Sequence, residues 1–124
     1  MFSNEINEYF TQLVNTPSPS GYEQPAQELF AQYARRNADT VEEDRFGNVI
    51  ANLSHPGKPR LMLSAHIDEI GFLVKHIDEE GFLYMVPIGG VDTLLLPGTR
   101  LAIHHAGNAP LATVGRKPIH LLIE

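Results

Sequence analysis

A chain of 124 residues makes one modest domain or parts of two, and folding can bury roughly two thirds of its unfolded surface. It is 43% hydrophobic and 19% charged, and a net charge of -6 with no Lys/Arg run longer than two argues against nucleic acid as a partner. The absence of cysteine excludes disulfides, thiolate metal sites and cysteine nucleophiles, so any bound metal must use His, Asp, Glu or backbone oxygen.

The start, Met1-Phe-Ser-Asn-Glu5, lacks a basic segment followed by an apolar one, so no signal peptide is expected. No apolar run approaches membrane-spanning length. A cytoplasmic, reducing compartment and no membrane partner are the expectation. Ser3 suits a helix N-cap, with Glu5 and Glu8 at the positive end of the dipole. Ile6, Tyr9, Phe10, Leu13 and Val14 then follow helical spacing and predict a core-facing stripe. The helix must stop near Asn15, because Thr16 precedes Pro17.

Thr16-Pro-Ser-Pro-Ser-Gly21 reads as a rigid loop. Ser20 and Glu23 have capping-box spacing, but with Ser20 as cap Pro25 falls beyond the tolerated first turn. Either the second helix starts later, near Glu23 or Gln24, or its first turn is irregular. Its apolar stripe is Ala26, Leu29, Phe30, Tyr33 and Ala34, and Arg35 and Arg36 close it. From Thr40 the pattern changes to short strands. Thr40 to Asp44 is one, Arg45-Phe-Gly-Asn48 a turn, and Asn48 to Leu53 a second. His55-Pro-Gly-Lys-Pro59 is another turn, with His55 a solvated loop residue.

Leu61-Met-Leu-Ser-Ala-His-Ile-Asp-Glu-Ile-Gly71 organises the rest. Arg60 to Ala65 predicts a buried central strand that ends in His66, Asp68 and Glu69, the way open α/β sheets deliver polar groups to a site. Along extended backbone His66 and Asp68 share one face. That suits an imidazole that binds metal through one nitrogen and gives the proton of the other to a carboxylate. The triplet alone also fits a strand end capped at the surface.

Beyond Gly71, Phe72, Val74 and His76 alternate with Leu73, Lys75 and Ile77, and Asp78-Glu-Glu-Gly81 turns the chain into Phe82 to Ile88 as a hairpin. Gly89-Gly90 and Pro97-Gly98 are breaks, Thr99 to His105 and Leu111 to Val114 are strands joined through Ala106 to Pro110, and a last strand begins at His120. This half reads as a small all-β barrel or sandwich cut at Glu124. His66-Ile-Asp-Glu69 is echoed by His76-Ile-Asp-Glu79, but Asp78, Glu79 and Glu80 sit in the hairpin turn, where acidic groups are solvated. His104 and His105 face opposite ways on a strand, so only one could join a given site, and His120 is a weak signal.

Four segments occur together: Pro17-Ser-Pro-Ser-Gly-Tyr-Glu23, Asp44-Arg-Phe-Gly-Asn-Val-Ile-Ala51, Ser64 to Gly71 continuing through Pro87-Ile-Gly-Gly-Val-Asp92, and Val114-Gly-Arg-Lys-Pro-Ile-His-Leu-Leu122. In this order they resemble the N-terminal part of the tetrahedral aminopeptidases, dinuclear-metal exopeptidases also labelled cellulase M or endoglucanase M. The resemblance implies an α/β fold: residues 1–70 as the N-terminal part of an α/β metallopeptidase catalytic domain, then residues 71–124 as a β-rich, barrel-like dimerisation and lid domain, truncated. It implies that His66 is a metal ligand and Asp68 the catalytic-site carboxylate that orients it. It implies two divalent ions, zinc or cobalt, that activate a bridging water against a peptide carbonyl, with a glutamate as general base. Peptide substrates and a homo-oligomer built from dimers follow from the same likeness. The family's bridging aspartate, glutamate pair, further acidic ligand and second histidine fall beyond this chain's length, and Val91 stands where many members carry an aromatic. The chain alone is therefore expected to hold at most one metal weakly and to be inactive. The alternatives are an assembly module without catalysis and glycoside hydrolysis. The latter needs two facing carboxylates, whereas Asp68 and Glu69 are neighbours that point apart.

Overall fold

The computed structural model describes residues 3–54, 56–57, 59–117 and 120. By contact the chain forms two compact units, residues up to Gly90 and residues from Val91. The first unit opens with α1 (Asn4–Val14), which starts where the extended backbone of Ser3 lets its hydroxyl accept from the Ile6 amide at 3.3 Å. At the other end the side chains of Asn15 and Thr16 return to the carbonyls of Thr11 and Gln12 at 2.7 and 2.8 Å, and Pro17 prevents a further turn.

The second helix, α2 (Gln24–Ala34), takes the later of the two starts left open by the sequence, so that Pro25 falls in the first turn, where no amide is needed. The Ser20–Glu23 capping box does not form. Glu23 holds the cap position through its carbonyl, which accepts from the Ala26 and Gln27 amides at 3.0 Å, while its carboxylate makes no cap bond and accepts from the Gly21 amide at 2.7 Å. Between the helices the rings of Tyr9 and Tyr33 stack, centroids 4.0 Å apart and 14° from parallel. Burial, and to a lesser extent the Tyr33 hydroxyl, raises the Tyr9 pKa. The buried apolar residues among those described are Ala26, Ala31 and Ala34, all on α2, which packs on α1 and on β2. The stripe expected on α1 is only partly covered: Phe10 is 61% exposed, and Ile6 and Val14 also face outward. Against α1 the second helix presents the Tyr33 ring, stacked on Tyr9.

Strands β1 (Thr40–Glu43) and β2 (Val49–Asn52) pair antiparallel, Thr40 opposite Asn52 and Glu43 opposite Val49. Asp44 builds their turn. One of its oxygens accepts from the amides of Phe46 and Asn48 at 2.8 and 2.9 Å, the other from the Asn48 side chain at 2.7 Å. The Asn48 side chain first, then the turn amides, hold the Asp44 carboxyl below its ordinary pKa. Of the turn expected at 55–59, His55 and Lys58 lie outside the described residues.

The predicted strand from Arg60 to Ala65 is corrected. Its backbone pairs with no strand among the described residues, and Leu61, Met62 and Leu63 are 84%, 86% and 88% exposed. A run apolar on both faces becomes a strand only with ladder partners at its sides and layers above and below, and the described residues supply neither. Order resumes at Ile67, where the 17–21 loop takes the partner's place. The Glu69 amide donates to the Ser18 carbonyl at 2.9 Å, the Ser18 hydroxyl to the Ile67 carbonyl at 3.0 Å, and the Ser18 amide to the Glu69 carboxylate at 3.1 Å. Pro19 and Glu69 form a parallel bridge, and Ser18 is 5% exposed. Gly71 completes the contact: a Cβ there would stand 2.8 Å from Cβ of Pro19.

From Gly71 the chain enters the expected hairpin, β3 (Gly71–Ile77) against β4 (Leu83–Ile88). The register slips between Val74 and His76, so the regular alternation predicted for β3 is interrupted at Lys75 by a bulge. Asp78 accepts from the amides of Glu80 and Phe82 at 3.1 and 2.8 Å, and its bond with the Tyr84 hydroxyl raises the pKa of that phenol. In the second unit Asp92 caps a short 3-10 turn, Thr93–Leu95. Then β5 (Arg100–Ala102) pairs with β6 (Leu111–Thr113). The described strands form three separate two-stranded sheets, and the strand expected from His120 lies, apart from His120 itself, outside the described residues.

Two predictions follow from the turns. His105 and Asn108 exchange backbone hydrogen bonds around Ala106 and Gly107, with φ of 46° and 80°. Both central residues are left-handed, the geometry that favours Asn-Gly or Gly-Gly. Ala106→Gly should therefore stabilise the second unit by about 1 kcal/mol, read as slower hydrogen exchange at Leu101 and Ala112. Unchanged exchange would mean that Ala106 carries no strain. The second concerns Asp44. Its pKa is depressed on folding, so its contribution is present above the unfolded carboxylate value and is lost as pH falls through the folded one. Protection of the Phe46 and Asn48 amides should drop on that acid limb, and Asp44→Ala should remove the pH dependence.

Candidate active-site corner

The extended segment leading to Ala65 delivers His66 into solvent, its side chain 85% exposed. Asp68, two residues on, comes back to the same side, and its Oδ1 lies 2.9 Å from His66 Nδ1. The Asp68 carbonyl lies 3.0 Å from the same nitrogen. Both neighbours of Nδ1 are acceptors, so Nδ1 carries the proton and donates it. The ring's other nitrogen, Nε2, is then left with a lone pair directed outward, the form of imidazole that ligates a metal.

Asp68 is held from its far side as well. The Ser20 hydroxyl donates to Oδ2, so both carboxylate oxygens are engaged. The Ser20 hydroxyl first, then His66, keeps the Asp68 carboxyl below its usual range. Glu69, the next residue, is turned away and spends its Oε1 on the Ser18 amide. Ser, Asp and His do meet here, but in the wrong order for nucleophilic catalysis. A serine nucleophile must pass its proton to the histidine, whereas Ser20 bonds the carboxylate.

Among the described residues no group of three or more His, Asp or Glu side chains is placed to hold a metal ion. A stable site takes three or four protein ligands, and the present donor set fits one arm of such a site: one imidazole, fixed in tautomer and direction. The echo residues do not join it. Asp78 is taken up by its turn and by Tyr84, and the His76 ring rests against the Tyr84 ring at 5.7 Å. His105 is bridged to Asn108 in the second unit. The residue that sequence reasoning missed is Ser20. Its spacing to Glu23 suggests a helix cap, Pro25 disfavours that role, and nothing nearby in the sequence offers its hydroxyl another partner.

Residues 47–124 match the M42 glutamyl aminopeptidase family. Lysyl aminopeptidase of Pyrococcus furiosus is 36% identical over 115 residues, which are 92% of this chain and 33% of that protein. Among solved structures, a TET aminopeptidase from a marine sediment Thaumarchaeota archaeon superposes with a TM-score of 0.88 at 28% identity, covering 98% of this chain and 34% of its own. The TET1 peptidase of Pyrococcus horikoshii, which can assemble into a tetrahedron or a large octahedral shell, gives 0.76 at 32% identity over 96% of this chain and 36% of its own. The chain thus spans about a third of the length of the relatives it matches. With more than half of its residues matched by the family and its fold shared with solved aminopeptidases, the chain belongs to the M42 glutamyl aminopeptidase family.

Proposed function

We propose that this chain is the N-terminal part of a metal-dependent aminopeptidase that removes residues from the N-termini of peptides. The observation that carries the proposal is the His66–Asp68 pair, with Nδ1 pinned by a carboxylate and Nε2 left open, on a chain of a peptidase family. In this reading His66 is a metal ligand through Nε2, and Asp68 orients it and makes it a stronger donor. Two divalent ions, zinc or cobalt, would supply a water that ionises near neutral pH and a polarised scissile carbonyl. The remaining ligands and the general base would come from the rest of a full-length enzyme, since only one ligand is identified here.

Residues 1–70 are proposed as part of the catalytic domain and residues 71–124 as the dimerisation and lid domain, barrel-like when complete. Leu73, Ile77 and Tyr84 leave apolar area exposed on β3 and β4, as a surface that pairs subunits would. No helix among the described residues is long and apolar enough to cross a membrane, and a cytoplasmic enzyme acting on peptides is the proposal. Glycoside hydrolysis finds no support, because Asp68 has both oxygens engaged and Glu69 is turned to Ser18.

The full-length protein should release N-terminal residues from short peptides and lose this activity to a chelator. Chelator-resistant cleavage would sink the metal mechanism. The 124-residue chain should show no turnover and only weak zinc or cobalt binding by calorimetry. Turnover that His66→Ala abolishes would refute the incomplete-site reading. In light scattering the chain should be at least a dimer, and Leu73→Asp should shift it toward monomer. An unaltered oligomer would move the contact away from β3.

A further inference from the structure

The 17–21 loop reaches the 67–71 segment in two different ways. Ser18, nearly buried, ties backbone to backbone through the Ile67 carbonyl and the Glu69 amide and carboxylate. The Ser20 side chain takes no part in that backbone contact. Its hydroxyl goes past the main chain to Asp68 Oδ2, the oxygen that His66 does not use. The cap position of α2 belongs to Glu23, so the Ser20 hydroxyl is not needed at the helix start.

We propose that Ser20 is a positioning residue for His66, acting through Asp68. A carboxylate bonded at one oxygen can rock within the tolerance of that bond, or flip about Cβ–Cγ and exchange its two oxygens. Bonded at both oxygens by groups from two chain segments, it has one orientation, and Oδ1 stays where the Nδ1 proton must go. The hydroxyl thereby reinforces, beside the Asp68 carbonyl that also faces Nδ1 at 3.0 Å, the tautomer whose Nε2 is bare, although the ring is exposed and water would otherwise accept or donate at either nitrogen. In an M42 chain this makes the 17–21 loop part of the metal-binding machinery without contributing a ligand. The inference rests on the reading of His66 as a metal ligand, but its first consequence can be seen without any metal.

The test uses the whole chain labelled with 15N, and reads the His66 tautomer from long-range proton–nitrogen correlations at neutral pH. The wild type should show Nδ1 protonated and Nε2 bare. Ser20→Ala should shift His66 toward a mixture of tautomers, while the Glu69 amide signal keeps its position because the Ser18 contacts are untouched. Ser20→Thr, which keeps the hydroxyl, should restore the wild-type tautomer. Titration with cobalt(II) alone should then show affinity about tenfold weaker for Ser20→Ala and recovered in Ser20→Thr. A His66 tautomer unaffected by Ser20→Ala overturns the proposal, as does failure of Ser20→Thr to restore it. If the tautomer responds to Ser20 while cobalt leaves the His66 signals of the wild type unmoved, the positioning role stands and the metal-ligand reading of His66 falls.

Discussion

The first unit depends on the grip of the 17–21 loop on residues 67–71. The segment arriving at His66 has no ladder among the described residues, and its three large apolar side chains lie open. What fixes the residues that follow is a short parallel contact: one bridge, three hydrogen bonds centred on Ser18, and a glycine that lets Pro19 come within contact distance. Without it, His66 and Asp68 would still be two residues apart on flexible backbone, but nothing would hold their rings and oxygens in register. The two prolines that flank Ser18 reduce the freedom of the loop before it docks, so less entropy is lost in making the contact.

Local chemistry was legible wherever the stabilising partner lies within a few residues. Ser3, Asn15 and Pro17 bound the first helix as their types require, Asp44 and Asp78 make the turns expected of them, and both hairpins of the β-rich half appear close to the predicted residues. The pairing of His66 with Asp68 followed from the alternation of extended backbone alone. Long-range partners were not legible. The sequence offers Ser20 only an uncertain cap role that Pro25 disfavours, but its hydroxyl is used 48 residues on, and no local pattern encodes that distance. The Lys75 bulge escaped for a related reason, since a bulge is a property of two strands and the pattern was read along one.

The run from Leu61 to Ala65 is the instructive error. Its composition predicts burial on both faces, whereas Leu61, Met62 and Leu63 are exposed. Strand character, however, belongs to a ladder, and no neighbour among the described residues completes one. The relatives are about three times as long as this chain, and a segment that is apolar throughout is what the interior strand of such a larger sheet would need.

That open run has a consequence during synthesis. Five residues without charge or proline, exposed and without a strand partner among the described residues, are the kind of segment on which a second copy can lay its own backbone and begin a cross-β stack. The sequence brackets the segment: Pro59 and Arg60 stand before it, His66 and Asp68 after it. Proline denies an incoming strand a donor, and repeated charges stack badly in register. The groups that give this corner its chemistry thus double as gatekeepers at one end of its most adhesive segment. Neutralising Asp68 would then cost solubility as well as a histidine's orientation, and the yield of such a variant would report on nascent-chain association before it reported on the site.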